Sequence, residues 1–195
     1  GNYLELPSQL FQGLNEATFE CWVKWQSFKA NEHVFEFDAA KRVKVGNKSG
    51  TADLEFTAAV PDSAAPAAAP SPRERPDASP TSIPSERTEP TPTPAQKSDT
   101  INQPGALRLN EWHHLATVFE GSGTRLYLDG VPVGTTPYTG GLGTVKGPDR
   151  HFLGSCTLYP SNSFRGQFKE VRLWRTARSA EQIRDNLNKQ LVGNE

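Results

Sequence analysis

The chain has 195 residues, 35% of them hydrophobic, and a formal net charge of −1. That admits one large domain or two small ones and gives no electrostatic case for nucleic acid or a membrane surface. No apolar run approaches a membrane-spanning length, no signal-peptide pattern opens the chain, and methionine is absent. Residue 1 is therefore expected not to be a translational start, and the chain to be cut from something longer.

Asn2 to Leu6 reads as a first short strand, ended by Pro7. Ala17 to Trp25 alternates, with Phe19, Cys21, Val23 and Trp25 on one face and Thr18, Glu20, Trp22 and Lys24 on the other. His33 to Phe37 follows, with Asp38-Ala39-Ala40 as a bend. Arg42 to Val45 and Asp53 to Ala58 then pair across the turn-rich residues 46–50. Short strands between turns, without helices between them, predict an all-β antiparallel sandwich or barrel.

Then the composition changes. Residues 61–100 hold ten of the sixteen prolines, no aromatic residue, and Ile83 as the only large aliphatic. Such a segment cannot bury enough surface to offset its ordering entropy, which predicts disorder. No two of its prolines stand in P-x-x-P spacing, and Ser71, Ser79, Thr91 and Thr93 precede proline as sites for phosphate or O-glycans. Strand patterns resume beyond it, so the reading is an insertion within one domain spanning residues 1–195.

Leu107 to Gly134 predicts three strands joined by two tight turns. Asp129-Gly130 between apolar runs calls for a type I′ turn, which needs positive φ at both central residues. A two-residue loop sets Leu128 opposite Val131 and Leu126 opposite Val133, sharing a face, with Arg125, Tyr127 and Asp129 on the other. Pro132 opposite Tyr127 removes a donor on the far side, pointing to a sheet edge or bulge there. Trp112 to Phe119 has two largely apolar rows and is expected to be covered on both faces. His113 and His114 are adjacent on this strand, so they cannot converge on one ion; His114 reads as a hydrogen-bonded core residue.

Beyond the Gly140–Gly143 loop, His151 to Leu153 reads as a strand. So does Phe164 to Trp174, with Phe168, Val171, Leu173 and Trp174 apolar and a bend or bulge at Gly166. Ser179 and Gln182 form a capping box for a short helix that presents Ile183, Leu187 and Leu191 on one face. The four tryptophans all fall in or beside strand patterns and read as core. Cys21 reads as a small buried hydrophobe; a Cys21–Cys156 disulfide stays open, and no cysteine spacing fits a zinc site.

Five pieces, YLELP, ATFECWVK, LNEWHHLATVF, LYLDGVPVG and FRGQFKEVRLWRTARSAEQI, resemble in order the laminin-G-like, concanavalin-A-like jelly-roll family that includes pentraxins. The resemblance implies a non-catalytic recognition module of a larger extracellular or cell-surface protein. Its ligands would be glycans or protein partners, often with calcium, and its neighbours the other domains of the parent chain. Calcium takes six to eight oxygen ligands. Asp38, Asp149 and Asn162 are the loop oxygens on offer, and Tyr159 a ring for sugar stacking; each also serves ordinary turn chemistry. In many relatives an acidic residue stands where Lys169 is found, so no metal or ligand role carries over there.

Laminarinase-type glucanases share the architecture and use two carboxylates flanking the glycosidic bond. Glu36-Phe37-Asp38-Ala39-Ala40 begins their Glu-x-Asp-x-Glu pattern, but Ala40 replaces the second glutamate. In the frame of Glu32 and Glu36, Val34 replaces the aspartate. Both frames fail, so no enzyme is expected. A scaffold domain with no small ligand is the remaining alternative.

Overall fold

The computed structural model describes residues 3–30, 32–37, 43–59, 98–140, 142, 150–157 and 163–191. The described residues form two antiparallel sheets. The first has the order β1 (Leu4–Leu6), β10 (His151–Leu153), β3 (His33–Phe37), β4 (Val43–Asn47), β5 (Leu54–Ala59), β6 (Ser98–Gln103). The second runs β11 (Gly166–Trp174), β2 (Ala17–Trp25), β7 (Trp112–Glu120), β8 (Gly123–Leu128), β9 (Val131–Thr136). One helix, α1 (Ala180–Asn186), follows the last strand. This is the expected jelly-roll sandwich, and no helix among the described residues is long and apolar enough to cross a membrane.

Alternation fills the space between the sheets. Phe19, Cys21, Val23 and Trp25 of β2 are buried there, as the sequence predicts, against Phe35, Phe37, Val45 and Phe56. Phe19 meets Phe35 and Phe37 edge-on, at ring separations of 4.9 and 5.3 Å. Each such ring contributes about 1.5–3 kcal/mol through burial. Strand β7 is covered on both sides: Leu115 and Phe119 enter this core, while Ala116 and Val118 pack under Ile183 of α1 with Tyr127.

Several expectations need correction. Ser98, Asp99 and Thr100 lie in β6, not in a disordered stretch, because Ile101 is buried opposite Phe56 and draws its polar neighbours into the ladder. The rest of the 61–100 segment lies outside the described residues. In the β8–β9 hairpin, Asp129 (φ 52°) and Gly130 (φ 78°) make the predicted turn, and Leu128 faces Val131 with Tyr127 facing Pro132. The register then slips: Leu126 faces Gly134 instead of Val133. A Cβ at position 134 would collide with the Ile101 side chain, so the bulge sets a glycine where β9 presses on β6. Val131 keeps its expected place opposite Leu128 but is exposed. Pro132 sits on the sheet edge, as its missing donor requires.

On β11 the bulge falls between Lys169 and Arg172, with Glu170 at φ 50°, not at Gly166. The extra residue turns Val171 out to solvent. Gly166 serves close approach instead, since a Cβ there would strike the Lys24 carbonyl and the Phe164 ring. The capping box forms, with Gln182 N–H donating to Ser179 Oγ at 3.1 Å and Ser179 N–H to Gln182 Oε1 at 2.8 Å. The helix is shorter than its apolar spacing: Leu187 is its C-cap and Leu191 lies beyond it. Cys21 and Cys156 are both buried and are not bonded to each other.

Candidate functional site

The outer face of the five-stranded sheet is where the sequence reading went furthest astray. Of the tryptophans, only Trp25 is in the sandwich core; Trp22, Trp112 and Trp174 are half-buried on the outside. Alternation places Glu20 on that same outer face, and it is completely buried there. Its Oε1 accepts from Arg178 Nη1 at 3.0 Å, while Oε2 lies 3.5 Å from His114 Nε2 and 4.0 Å from Arg172 Nη1. Arg178 also donates to the Gln182 carbonyl and lies over the Trp174 ring at 4.0 Å. Arg172 donates to the carbonyls of Asn186 and Lys189. The cluster therefore ties α1 and the segment after it to β2 and β11. A buried carboxylate persists only where cations and hydrogen bonds replace its water.

Beside this anchor the sheet opens. Trp22 pairs with Lys169 across β2–β11, and Lys24 with Trp112 across β2–β7. Lys169 Nζ sits 5.3 Å from the Trp22 ring centre and 4.5 Å from that of Trp112, and Lys24 Nζ 5.0 Å from Trp112. Trp22 Nε1 donates to the Leu187 carbonyl at 2.9 Å, fixing the indole. A half-open cleft of about 380 Å³ opens over Trp22 and Lys169, closed on its far side by Leu187–Gln190, with Trp112 beside it across Lys169. Lys169, Arg172 and Lys189 line it against the single carboxylate of Glu170. The signal for this site lay in the alternation, which put Trp22 with Glu20 and Lys24 opposite the core residues.

His113 points the other way from His114, as adjacent strand residues must. Its Nε2 accepts the Arg108 N–H at 3.0 Å, so Nδ1 carries the proton and donates to Asp129 Oδ2 at 2.9 Å. Both ring nitrogens are thus engaged in holding the 105–109 turn against the β8–β9 hairpin. His114 is buried next to Glu20, which supports the core reading, although its Nδ1 has no partner.

A second polar group lies on the outer face of the six-stranded sheet. His33 and Glu36 would point apart on a regular strand. A bulge at Val34 breaks the alternation: His33 faces Gly46 and Glu36 faces Lys44, and positions 44 and 46 share a face. Gly154 N–H donates to the Val34 carbonyl at 2.9 Å, and Thr157 N–H to Glu36 Oε1 at 2.8 Å, which lays Cys156 over the pair. Burial, with the charge of Lys44 adding, holds His33 down to about 3.

Asp38, Asp149, Tyr159 and Asn162, the loop residues predicted for calcium or sugar, lie outside the described residues, as does Ala40. Of the glucanase-like frame, Glu36 spends Oε1 on a backbone amide, and Glu32 is buried beside Ser27 Oγ at 3.4 Å.

A family model described as the concanavalin A-like lectin/glucanases superfamily matches residues 88–184. No curated protein matches the sequence. Similar solved structures include a CBM40 of the Ruminococcus gnavus IT-sialidase bound to α2,3-sialyllactose, 10% identical over 95% of this chain and 96% of that one, TM-score 0.55. A heptameric SAP-like pentraxin from Limulus polyphemus is 15% identical over 88% and 69%, TM-score 0.52. A candidate carbohydrate-binding protein from Bacteroides ovatus is 15% identical, TM-score 0.53; the match covers 89% of this chain but 41% of that one. At these identities the likeness is one of fold. Residues 88–184, just under half of the chain, match the concanavalin A-like superfamily model, and the two sheets share the sandwich fold of these structures, as the five sequence pieces lead one to expect.

Proposed function

We propose that this is a non-catalytic glycan-recognition module, and that its ligand is a glycan bearing carboxylate or sulfate groups, held in the cleft over Trp22 and Lys169 and reaching the neighbouring Trp112. The observation that carries this is the pairing of two half-buried indoles with ammonium groups beside an open polar cleft. Aromatic faces take the apolar faces of sugar rings, and cations with surplus positive charge take an acidic substituent. The fold it shares with the sialidase module bound to sialyllactose supports this reading as analogy only. Calcium belongs to the proposal through Asp38, Asp149 and Asn162. A rise in melting temperature in millimolar calcium supports that part, and an unchanged one removes it.

The test is a glycan array with the whole chain. Reproducible binding to acidic glycans, weakened at least tenfold by Lys169→Glu and by Trp112→Ala, supports the proposal. A silent array favours the scaffold alternative, and binding untouched by both substitutions moves the site elsewhere. Turnover of β-glucans by the isolated chain would overturn the non-catalytic part.

A further inference from the structure

We propose that His33, Glu36 and Cys156 form a binding site for a divalent transition-metal ion of the zinc class, on the outer face of the six-stranded sheet. One ligand atom from each residue lies within 4.8 Å of the other two. His33 Nδ1 is 3.8 Å from Glu36 Oε2. In a tetrahedral site with bonds of about 2.0–2.3 Å, neighbouring ligand atoms stand roughly 3.3–3.7 Å apart. The three side chains are therefore within about 1.5 Å of coordinating distance.

The chemistry of the set selects the ion. A thiol, an imidazole and one carboxylate suit a borderline-soft cation, whereas calcium requires six or more oxygens. His33 Nδ1 is buried with no hydrogen-bond partner, which is costly unless something takes its lone pair. Glu36 has one oxygen fixed by the Thr157 N–H, which orients the other toward His33. A small cavity of about 60 Å³, lined by His33, Lys44, Asn47, Ser49 and Glu55, reaches the His33 end of the cluster. Lys44 opposes a cation there; on binding, the Cys156 thiol would release its proton to solvent, and thiolate and carboxylate together would outweigh that single charge.

The bulge at Val34 and the Gly154 N–H to Val34 carbonyl bond bring the set together. His33, Glu36 and Cys156 lie on the other sheet and none of them lines the cleft over Trp22, so the metal site is independent of the glycan proposal. The bound ion would pin the chain at Cys156 to β3, a structural role that needs no glycan.

The experiment is titration of the whole, untagged chain with cobalt(II) and zinc under reducing conditions. The expected result is a thiolate-to-cobalt charge-transfer band that saturates at one equivalent, is displaced by zinc, and is accompanied by a rise in melting temperature. Cys156→Ser abolishes the band, His33→Asn and Glu36→Gln weaken binding at least tenfold, and Cys21→Ser leaves it intact. No band, or a band surviving Cys156→Ser, overturns the proposal. If Cys156→Ser does not fold, X-ray absorption on the zinc-loaded native chain decides: one sulfur with nitrogen and oxygen neighbours supports the site, and a shell without sulfur rejects it.

Discussion

Glu20 and Arg178 meet at 3.0 Å in the protein interior although 158 residues separate them in sequence. The pair joins the second strand to the turn that starts α1. Arg178→Ala leaves a buried carboxylate facing only the longer contacts to His114 and Arg172. The expected cost is about 3–5 kcal/mol of stability, read from urea unfolding. A loss under about 1 kcal/mol would mean that Arg172 alone neutralises Glu20.

Asp129 gives the stability its acid dependence. Burial works against its charge, but the hydrogen bonds from His113 and from the His114 N–H outweigh that and hold the carboxyl below its ordinary value of 3.8. A depressed carboxylate stabilises the fold fully above its unfolded pKa and loses that contribution as pH falls through the folded one. Asp129→Asn tolerates the positive φ of the turn and is expected to flatten the fall in melting temperature below about pH 4. An unchanged acid slope would show that other carboxylates set it.

Gly46→Ala tests how tightly the bulged strand is built. A Cβ there would stand 2.6 Å from the Glu32 carbonyl oxygen and 3.1 Å from His33 Cα, both backbone-bound. Neither can swing aside, so a loss of about 1–3 kcal/mol is expected in chemical denaturation. A neutral result would mean that the 32–33 backbone moves freely.

Cys21 is expected to be inert. Burial pushes its thiol far up, and the neighbouring charge of Glu20 adds to the effect. Native protein should leave Cys21 unmodified by iodoacetamide at pH 8, with labelling appearing only in denaturant, as peptide mass analysis would show. Labelling of Cys21 at the rate of a free thiol would contradict the packing of β2.

Ala59 and Ser98 are register partners on adjacent strands. The chain between them closes a hairpin, and each doubling of loop length costs only about 0.6 kcal/mol. Replacing residues 60–97 with a short glycine-serine turn is expected to hold or slightly raise the melting temperature. A collapse of folding would show that this stretch supplies contacts to the sandwich.

The strands were legible wherever alternation carried a clear apolar row, as in β2, β7 and the Asp129-Gly130 hairpin. What escaped was set by contacts between distant parts of the chain. The slip at Val133 answers to Ile101, and the exposure of Val171 answers to a bulge that no local propensity marks. Alternation places Glu20 on the face away from the core but cannot show its burial, because its partners, Arg172 and Arg178, lie at the far end of the sequence. Strict alternation would put His33 and Glu36 on opposite faces, and the Val34 bulge that aligns them has no mark in the sequence. Trp22 and Trp112 were misassigned because burial in a strand pattern was equated with the inner face.

The same irregularities bear on how this sandwich keeps to itself. An open sheet edge invites another strand, and most edges here are blunted. β1 is three residues long, β9 carries Pro132 and a bulge, and β11 is broken at Glu170. Among the described strands, β6 is the long, regular edge that remains. A visiting strand, from a second copy or from a misfolded neighbour, would find its ladder there, beside the point where residues 60–97 rejoin the sheet.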